Sequence, residues 1–361
     1  QINLFFKKQN MKKKSLSVKK IIHKSFFNHL KNNKINRIFK EFNYYLSNCF
    51  QNNKKIKIGV ALSGGPDSLA LAFLTKCFLL NNNEIKGKFF IVDHNLRKNS
   101  SREAKDIKIF LKKFDINCYI LKWHGIKPKS NIQGIARNYR YKLLKKVCKK
   151  NNINYLLIGH HLDDIYENFF IRFLRGSGLK GLASFGEVIE DEKNKIFILR
   201  PLVKFQKKEL IFISKKVFNF FINDPFNKNI SFKRTRIRNL ISNLENEGLD
   251  KKKLDLTIKN LQSANNAINF YVDENIKNNS RYIKSKKIYI LNKFFYKQPE
   301  EVIFRSFTII FKLVSDRYYP PRGKSIIDMI LKINSGKYTK FTLGGCIIEK
   351  VGETLLIRRE I

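Results

Sequence analysis

The sequence predicts an α/β fold: an open, doubly wound parallel sheet followed by a smaller, mostly helical or mixed C-terminal domain. Three observations carry this. Between residues 54 and 240, short runs rich in Ile, Val, Leu and Phe alternate with segments of helical length. These runs are apolar almost throughout, as strands covered on both faces must be. After Arg238 the alternation stops.

The elements follow in order. Residues 1–53 read as a basic N-terminal extension, since the first sixty residues hold fifteen Lys/Arg and one acid, Glu41. A solvated tail and one helix over about Ile35–Phe50 describe it. Strands are expected at Ile56–Leu62, Lys88–Asp93, Cys118–Trp123, Tyr155–Gly159 and Ile196–Leu199. Helices are expected at Asp67–Leu80, Arg102–Phe114, Ile132–Lys150, Asp163–Leu174 and Lys207–Phe220. Such a sheet binds its ligand beyond the carboxyl ends of the strands. Residues 241–361 read as a separate domain. Leu240–Asn279 suits one or two amphipathic helices, and the rest mixes short strands, a further helix and a turn at Pro320-Pro321-Arg322-Gly323.

Composition excludes several classes. With 43% hydrophobic and 13% aromatic residues the chain can build real cores, so it is not generally disordered. The longest apolar stretch, Leu69–Leu80, is broken by Thr75-Lys76 and falls short of the ~20 residues a membrane helix needs. Five dispersed cysteines without a Cys-x-x-Cys pair form no disulfide framework, which predicts a reducing, cytoplasmic setting without a membrane. The net charge of +44 attracts polyanions and favours a nucleic-acid partner. Abundant Lys alongside Asn, Ile and Phe is also what an AT-rich coding sequence produces. The arginines therefore carry more of the signal than the lysines.

The sharpest motif is Ser63-Gly64-Gly65-Pro66-Asp67-Ser68, between the first strand and the first helix. Two glycines permit a tight turn and a close ligand approach, Pro66 suits a first helical turn, and free N–H groups at a helix start attract anions. Asp67 adds negative charge to such a cradle, which makes sense if a divalent cation bridges it to phosphate. An ordinary capped Gly-Gly turn is the bland alternative. The second strand ends in Asp93-His94, placing both on the ligand edge, where Asp93 could equally cap the next turn. Arg137, Arg140 and Tyr141 share a helical neighbourhood suited to phosphate contact and base stacking, or to a solvated face. The fourth strand runs into His160-His161-Leu162-Asp163-Asp164, with Glu167 one turn on. Hard carboxylate ligands for Mg²⁺ are one use of that density, and an acidic helix cap is another. Arg172, Arg175 and the Gly-Ser-Gly loop that follows, then Arg234, Arg236 and Arg238, are basic segments without acids.

At these residues the sequence resembles the PP-loop family, the N-type ATP pyrophosphatases, whose SGGxDS loop grips the pyrophosphate end of ATP. The run at 92–97, which includes Arg97, resembles its tRNA(Ile)-lysidine synthetase branch. So do the segments at 131–141, 160–167, 175–182, 200–202, 223–227 and 234–238. One departure is Asn168, where the branch usually has Thr. The likeness covers about 54–240, with a looser match beyond.

The resemblance implies an enzyme that adenylates the wobble cytidine (C34) of the CAU-anticodon tRNA(Ile) at O2. Free L-lysine then attacks C2 through its ε-amine, giving lysidine, AMP and diphosphate. It implies ATP held by Ser63, Gly64, Gly65, Pro66, Asp67 and Ser68, with Mg²⁺ on Asp67, Asp163 and Asp164. Asp93, His160 or Glu167 is the proton acceptor. The tRNA or AMP phosphates would meet Arg97, Arg137, Arg140, Arg172, Arg175, Arg234, Arg236 and Arg238, and 241–361 would be a tRNA-interaction domain. Rival readings are another PP-loop tRNA modification, such as thiolation, and an inert tRNA-binding module. The oligomeric state stays open, a homodimer included.

Overall fold

The protein is described from a computed structural model covering residues 20–50, 56–95, 99–125, 132–184, 188–191, 195–222, 230–286, 288–317, 319–335 and 340–360. It forms two compact units. The first comprises Gln1–Gly176 with Phe185–Lys251, and the second Ser177–Ser184 with Lys252–Ile361.

The first unit is built on the parallel sheet. Its strands are β1 (Lys57–Leu62), β2 (Lys86–Asp93), β3 (Cys118–Lys122), β4 (Tyr155–Leu157), β5 (Val188–Asp191) and β6 (Ile196–Leu199). They stand in the order β3-β2-β1-β4-β6-β5. Five are parallel, and β5 is an antiparallel edge strand paired with β6, Val188 opposite Leu199. The apolar runs are explained by two cores. Phe89, Ile91, Tyr155 and Leu157 face one side, while Phe90, Leu156, Ile196 and Ile198 face the other. Strands with period-two side chains need apolar residues at every position when both faces are covered.

The helices of this unit are α1 (20–29), α2 (Asn33–Cys49), α3 (Pro66–Asn81), α4 (Ser100–Lys112), α5 (Ile132–Lys150), α6 (Leu162–Phe173), α8 (Lys207–Phe218) and α9 (Lys233–Asn246), while the short α7 (Leu179–Leu182) falls in the second unit. α3 is apolar all round and buries Leu69 to Leu74 completely. The chain winds from β1 through β2 to β3 on one side, then returns to β4 on the other side of β1. The carboxyl ends of β1 and β4 therefore flank the topological switch, where an open sheet leaves a crevice.

Two sequence expectations need correction here. The described part of the basic extension is not a solvated tail. Phe26 of α1 packs edge-on against Phe73 with centroids 5.3 Å apart, and Ile35, Ile38, Phe42 and Leu46 of α2 are fully buried in the sheet's core. Its many lysines sit on the outer face of an amphipathic pair, which conceals the inner one. The boundary near 241 also moves, because α9 belongs to the first unit. Ile237 and Ile241 are buried there, and Arg238 pairs with Glu167 of α6.

The second unit holds α10 (Lys251–Asn279, from Lys252 on), α11 (Glu300–Ser315) and α12 (Gly323–Asn334). Its antiparallel sheet is ordered β7 (Ser280–Ile283), β8 (Ile288–Leu291), β11 (Thr354–Arg359), β10 (Cys346–Val351), β9 (Lys340–Leu343). Phe307, Ile310, Phe311, Ile348 and Ile357 are fully buried in its core. Within it the Arg305 guanidinium, 1% exposed, binds Glu301, Asn265 and Asn269. Among the described residues no helix is long and apolar enough to cross a membrane.

Candidate active site at the carboxyl edge of the sheet

β1 ends at Leu62, and the chain turns through Ser63, Gly64 and Gly65 into α3. Gly64 has φ +80°, and a Cβ there would lie 2.3 Å from Ile107 Cδ1, so conformation and space both require glycine. Gly65 differs. Its φ is −74°, and a Cβ would meet only Ser63 Oγ at 3.7 Å. What glycine provides at position 65 is open space at a helix start. The loop is held by Ser68, whose Oγ accepts from the Ser63 N–H at 3.2 Å and donates to the Gly65 carbonyl at 2.9 Å. Ser214 of α8 ties it down by donating to the Pro66 carbonyl at 2.6 Å. A turn of this kind at the head of a sixteen-residue helix has the geometry that can cradle a phosphate.

β4 leads to the second half of the site. Gly159 passes so close to α3 that a Cβ would lie 3.4 Å from the Asp67 carbonyl. His161 is the N-cap of α6, 3% exposed, and its N–H donates to Asp164 Oδ2 at 3.1 Å. Its imidazole stands among three carboxylates. Nε2 is 3.6 Å from Asp67 Oδ2 and 3.7 Å from Asp164 Oδ2, and Nδ1 is 3.5 Å from Asp163 Oδ2. Burial alone would lower its pKa, but contact with Asp163 and the charges of Asp164 and Asp67 raise it above the ordinary histidine value.

The carboxylates divide. Burial pushes Asp67 up, against the opposing charges of His161 and Lys207. Burial also opposes ionisation of Asp163 and Asp164, yet both lie below the usual range because His161 and backbone N–H groups hold them charged. Asp163 is further engaged by the Lys207 N–H at 2.8 Å and by Lys251 Nζ at 3.7 Å. Asp67 Oδ1 is sealed from solvent without a hydrogen-bond partner. An orphaned carboxylate oxygen beside a second buried carboxylate fits a hard divalent cation, and Mg²⁺ commonly takes one or two carboxylates plus substrate phosphates. Asp67 and Asp164 are therefore the fitting pair, while Asp163 is spent on the start of α8.

Beside the acids lies an arginine cluster. The Arg137 and Arg140 guanidinia sit 5.4 and 5.9 Å from the Tyr141 ring centre. Arg200, 4% exposed, hydrogen-bonds Tyr141. Burial lowers the pKa of Arg140 and Arg200, and Arg137 adds repulsion to both, with Asp164 opposing. Arg234 of α9 faces the same group. Burial and these arginines push His160 down to about 3, and burial with Arg140 pushes His94 down to about 4, so both rings are neutral. Crowded cations against one carboxylate make a site for an anion.

The remaining expected residues lie elsewhere. Asp93 caps its own strand end: Oδ1 accepts from the Asn95 N–H at 2.9 Å and Oδ2 from Ser101 Oγ at 2.5 Å. Glu167, 2% exposed, is bound by Arg238 Nε at 2.5 Å. Arg236 donates to the carbonyls of Ile230 and Ser231 at 3.0 and 2.8 Å, closing its own loop instead of facing the site. Arg172 stands in the last turn of α6 and Arg175 in the turn after it. Arg97 and the segment 223–227 lie outside the described residues. His161 and Arg200, left off the expected site, are at its centre. A doublet of histidines does not say which ring turns inward, and Arg200 entered only as part of the 200–202 segment of the resemblance, with no role attached.

Residues 38–245 match the PP-loop domain family. The chain is 34% identical over 316 residues to the tRNA(Ile)-lysidine synthase of Wolbachia pipientis wMel, covering 87% of this chain and 72% of that protein. It is 33% identical over 326 residues to the tRNA(Ile)-lysidine synthase of Orientia tsutsugamushi (strain Boryong), covering 86% and 71%. This chain belongs to the tRNA(Ile)-lysidine synthase family. Among solved structures, the U34-tRNA thiolase NcsA from Methanococcus maripaludis aligns at a TM-score of 0.55 and 18% identity, covering 64% of this chain and 79% of that one. That likeness shows the shared fold. As a tRNA(Ile)-lysidine synthase family member, the chain is an ATP-using ligase of the PP-loop type. Its five cysteines lie outside the converging residues, and burial pushes the Cys118 and Cys148 thiols up to about 12.

Proposed function

We propose that this protein converts the wobble cytidine of the CAU-anticodon isoleucine tRNA to lysidine, consuming ATP and free lysine. The observation that carries the reading is the convergence on His161 of Asp67, from the loop after β1, and Asp164, from the turn after β4.

In the first step cytidine O2 forms a bond to the α-phosphorus of ATP, and diphosphate leaves with the electron pair. The N–H groups of the 63–68 loop and the hydroxyls of Ser63 and Ser68 hold the diphosphate and stabilise the charge developing on it. Arg137, Arg140, Arg200 and Arg234 face the α-phosphate, where negative charge also grows. Asp67 and Asp164 would hold Mg²⁺, which when bound offsets phosphate charge that repels the incoming oxygen.

In the second step the ε-amine of lysine bonds to C2, the C2–O bond breaks and AMP departs. An ammonium with a reference pKa of ~10.4 must first lose a proton. Asp93 and Glu167 already accept strong hydrogen bonds from Ser101 and Arg238. His160, held neutral among Arg137, Arg140 and Arg200, is a weak base, so the acceptor is one of these three groups, Asp93, His160 or Glu167. The second unit is the reader of the tRNA body in this scheme.

The test is AMP release by purified protein given ATP, lysine and an unmodified CAU-anticodon transcript. The expected result is release that needs both lysine and that transcript. Release driven by a sulfide donor, or tRNA binding without AMP, would overturn the reading.

A further inference from the structure

The far end of α6 carries a feature the chemistry above does not use. Residues 169–175, Phe-Phe-Ile-Arg-Phe-Leu-Arg, contain no acid. Phe169 and Phe173 lie one turn apart with nearly parallel rings, 14° between planes and 6.2 Å between centroids. Phe173 is 58% and Leu174 56% exposed. A lone exposed apolar residue needs no explanation, but a contiguous aromatic patch at the surface does. Two cations border it. Arg172 is half-buried and Arg175 exposed, and burial and the charge of Arg175 lower the Arg172 pKa.

We infer that this surface at the end of α6, formed by Phe169, Arg172, Phe173 and, in the turn that follows, Arg175, holds single-stranded RNA next to the reacting nucleotide, stacking a loop base on Phe173 and a phosphate on the arginines. The inference rests on the proposed lysidine reaction and specifies which surface positions its RNA. Its support is charge complementarity and continuity with the site. The same helix begins at Asp163 and Asp164, and nine residues at 1.5 Å per residue put Phe173 about 14 Å from Asp164. A flat aromatic face combined with guanidinium groups and no acid is the chemistry that takes unpaired bases. A membrane or an acidic peptide would not call for near-parallel rings.

The test uses the full chain and a CAU anticodon stem-loop transcript carrying 2-aminopurine on the 3′ side of the wobble cytidine. Fluorescence reports stacking, and titration at several salt concentrations reports affinity. Phe173→Ala, at an exposed position, should weaken stem-loop binding about tenfold and abolish the quench. Phe173→Tyr should restore both. Arg175→Ala should weaken binding and reduce the salt slope by about one. KM for ATP should be unchanged in both Phe173 variants. Wild-type affinity, quench and salt slope in both alanine variants would overturn the inference while leaving lysidine synthesis standing. If the wild-type protein makes no lysidine, the proposed function fails whatever the stem-loop does.

Discussion

His161 Nε2 lies 3.6 Å from Asp67 Oδ2, an imidazole at the end of β4 facing a carboxylate from the loop after β1. These strands are neighbours in the sheet though distant in sequence, and the contact joins the phosphate cradle to the acidic turn. Asp164 Oδ2 approaches the same nitrogen at 3.7 Å. The imidazole helps hold Asp164 charged, whereas burial works against the charge on Asp67.

Asp67→Asn preserves the shape of that corner and removes its charge. Asp67 is raised in pKa by burial and leaves Oδ1 unpartnered, so its charge costs the fold stability and serves something else. AMP formation should fall by about two to three orders of magnitude, the size of a lost electrostatic contribution to a transition state. The thermal midpoint should hold or rise. A variant of normal activity would remove Asp67 from the cation-binding pair.

The two glycines of the loop should separate stability from binding. Gly64→Ala forces a positive-φ residue and a clash with Ile107, and should destabilise the protein by about 1–3 kcal/mol in urea unfolding. Gly65→Ala meets nothing closer than 3.7 Å and should unfold like the parent. Its methyl group occupies the cradle, so KM for ATP should rise. Equal unfolding midpoints for the two variants would contradict this division.

The sheet was readable because β1, β2 and β4 bury both faces and so appear as unbroken apolar runs. The edge strand β5 was not, since its pairing with β6 depends on a tertiary neighbour. α1 hid behind lysines on its outer face, whereas α2 was expected as the helix over about Ile35–Phe50 and only its burial went unread. At the site, the tight turn over Ser63–Ser68 was legible because its positive-φ glycine and its serine clamp need fixed residue types at fixed spacing. The roles of Asp93, Glu167 and Arg236 were not, because a carboxylate or guanidinium in a motif does not reveal whether its partner is a ligand or the fold. Ser101, Arg238 and two loop carbonyls are those partners.

Acid should destabilise the protein through His94. Its ring is held neutral, with a folded pKa of about 4 against an ordinary 6.5. Between those values the unfolded chain binds the extra proton and the folded one does not, so stability falls as pH drops from 6.5 toward 4. Urea midpoints measured across that window should decline less steeply for His94→Gln. Parallel pH profiles for the two proteins would show that His94 is protonated without cost.

The pair formed by Glu167 and Arg238 should behave as a strut between α6 and α9. Glu167 is 2% exposed, and Arg238 Nε donates to it at 2.5 Å. Its charge and the hydrogen bond raise the Arg238 pKa although burial lowers it. Arg238→Met leaves a buried carboxylate uncompensated and should cost about 3–5 kcal/mol. Adding Glu167→Gln to it removes the orphaned charge and should recover most of that loss, a coupling a double-mutant cycle reads directly. The single Glu167→Gln variant should keep AMP formation within about tenfold of wild type, since an amide oxygen still accepts from Arg238. A collapse of activity in that variant with an unchanged unfolding midpoint would instead make Glu167 a proton acceptor in the reaction.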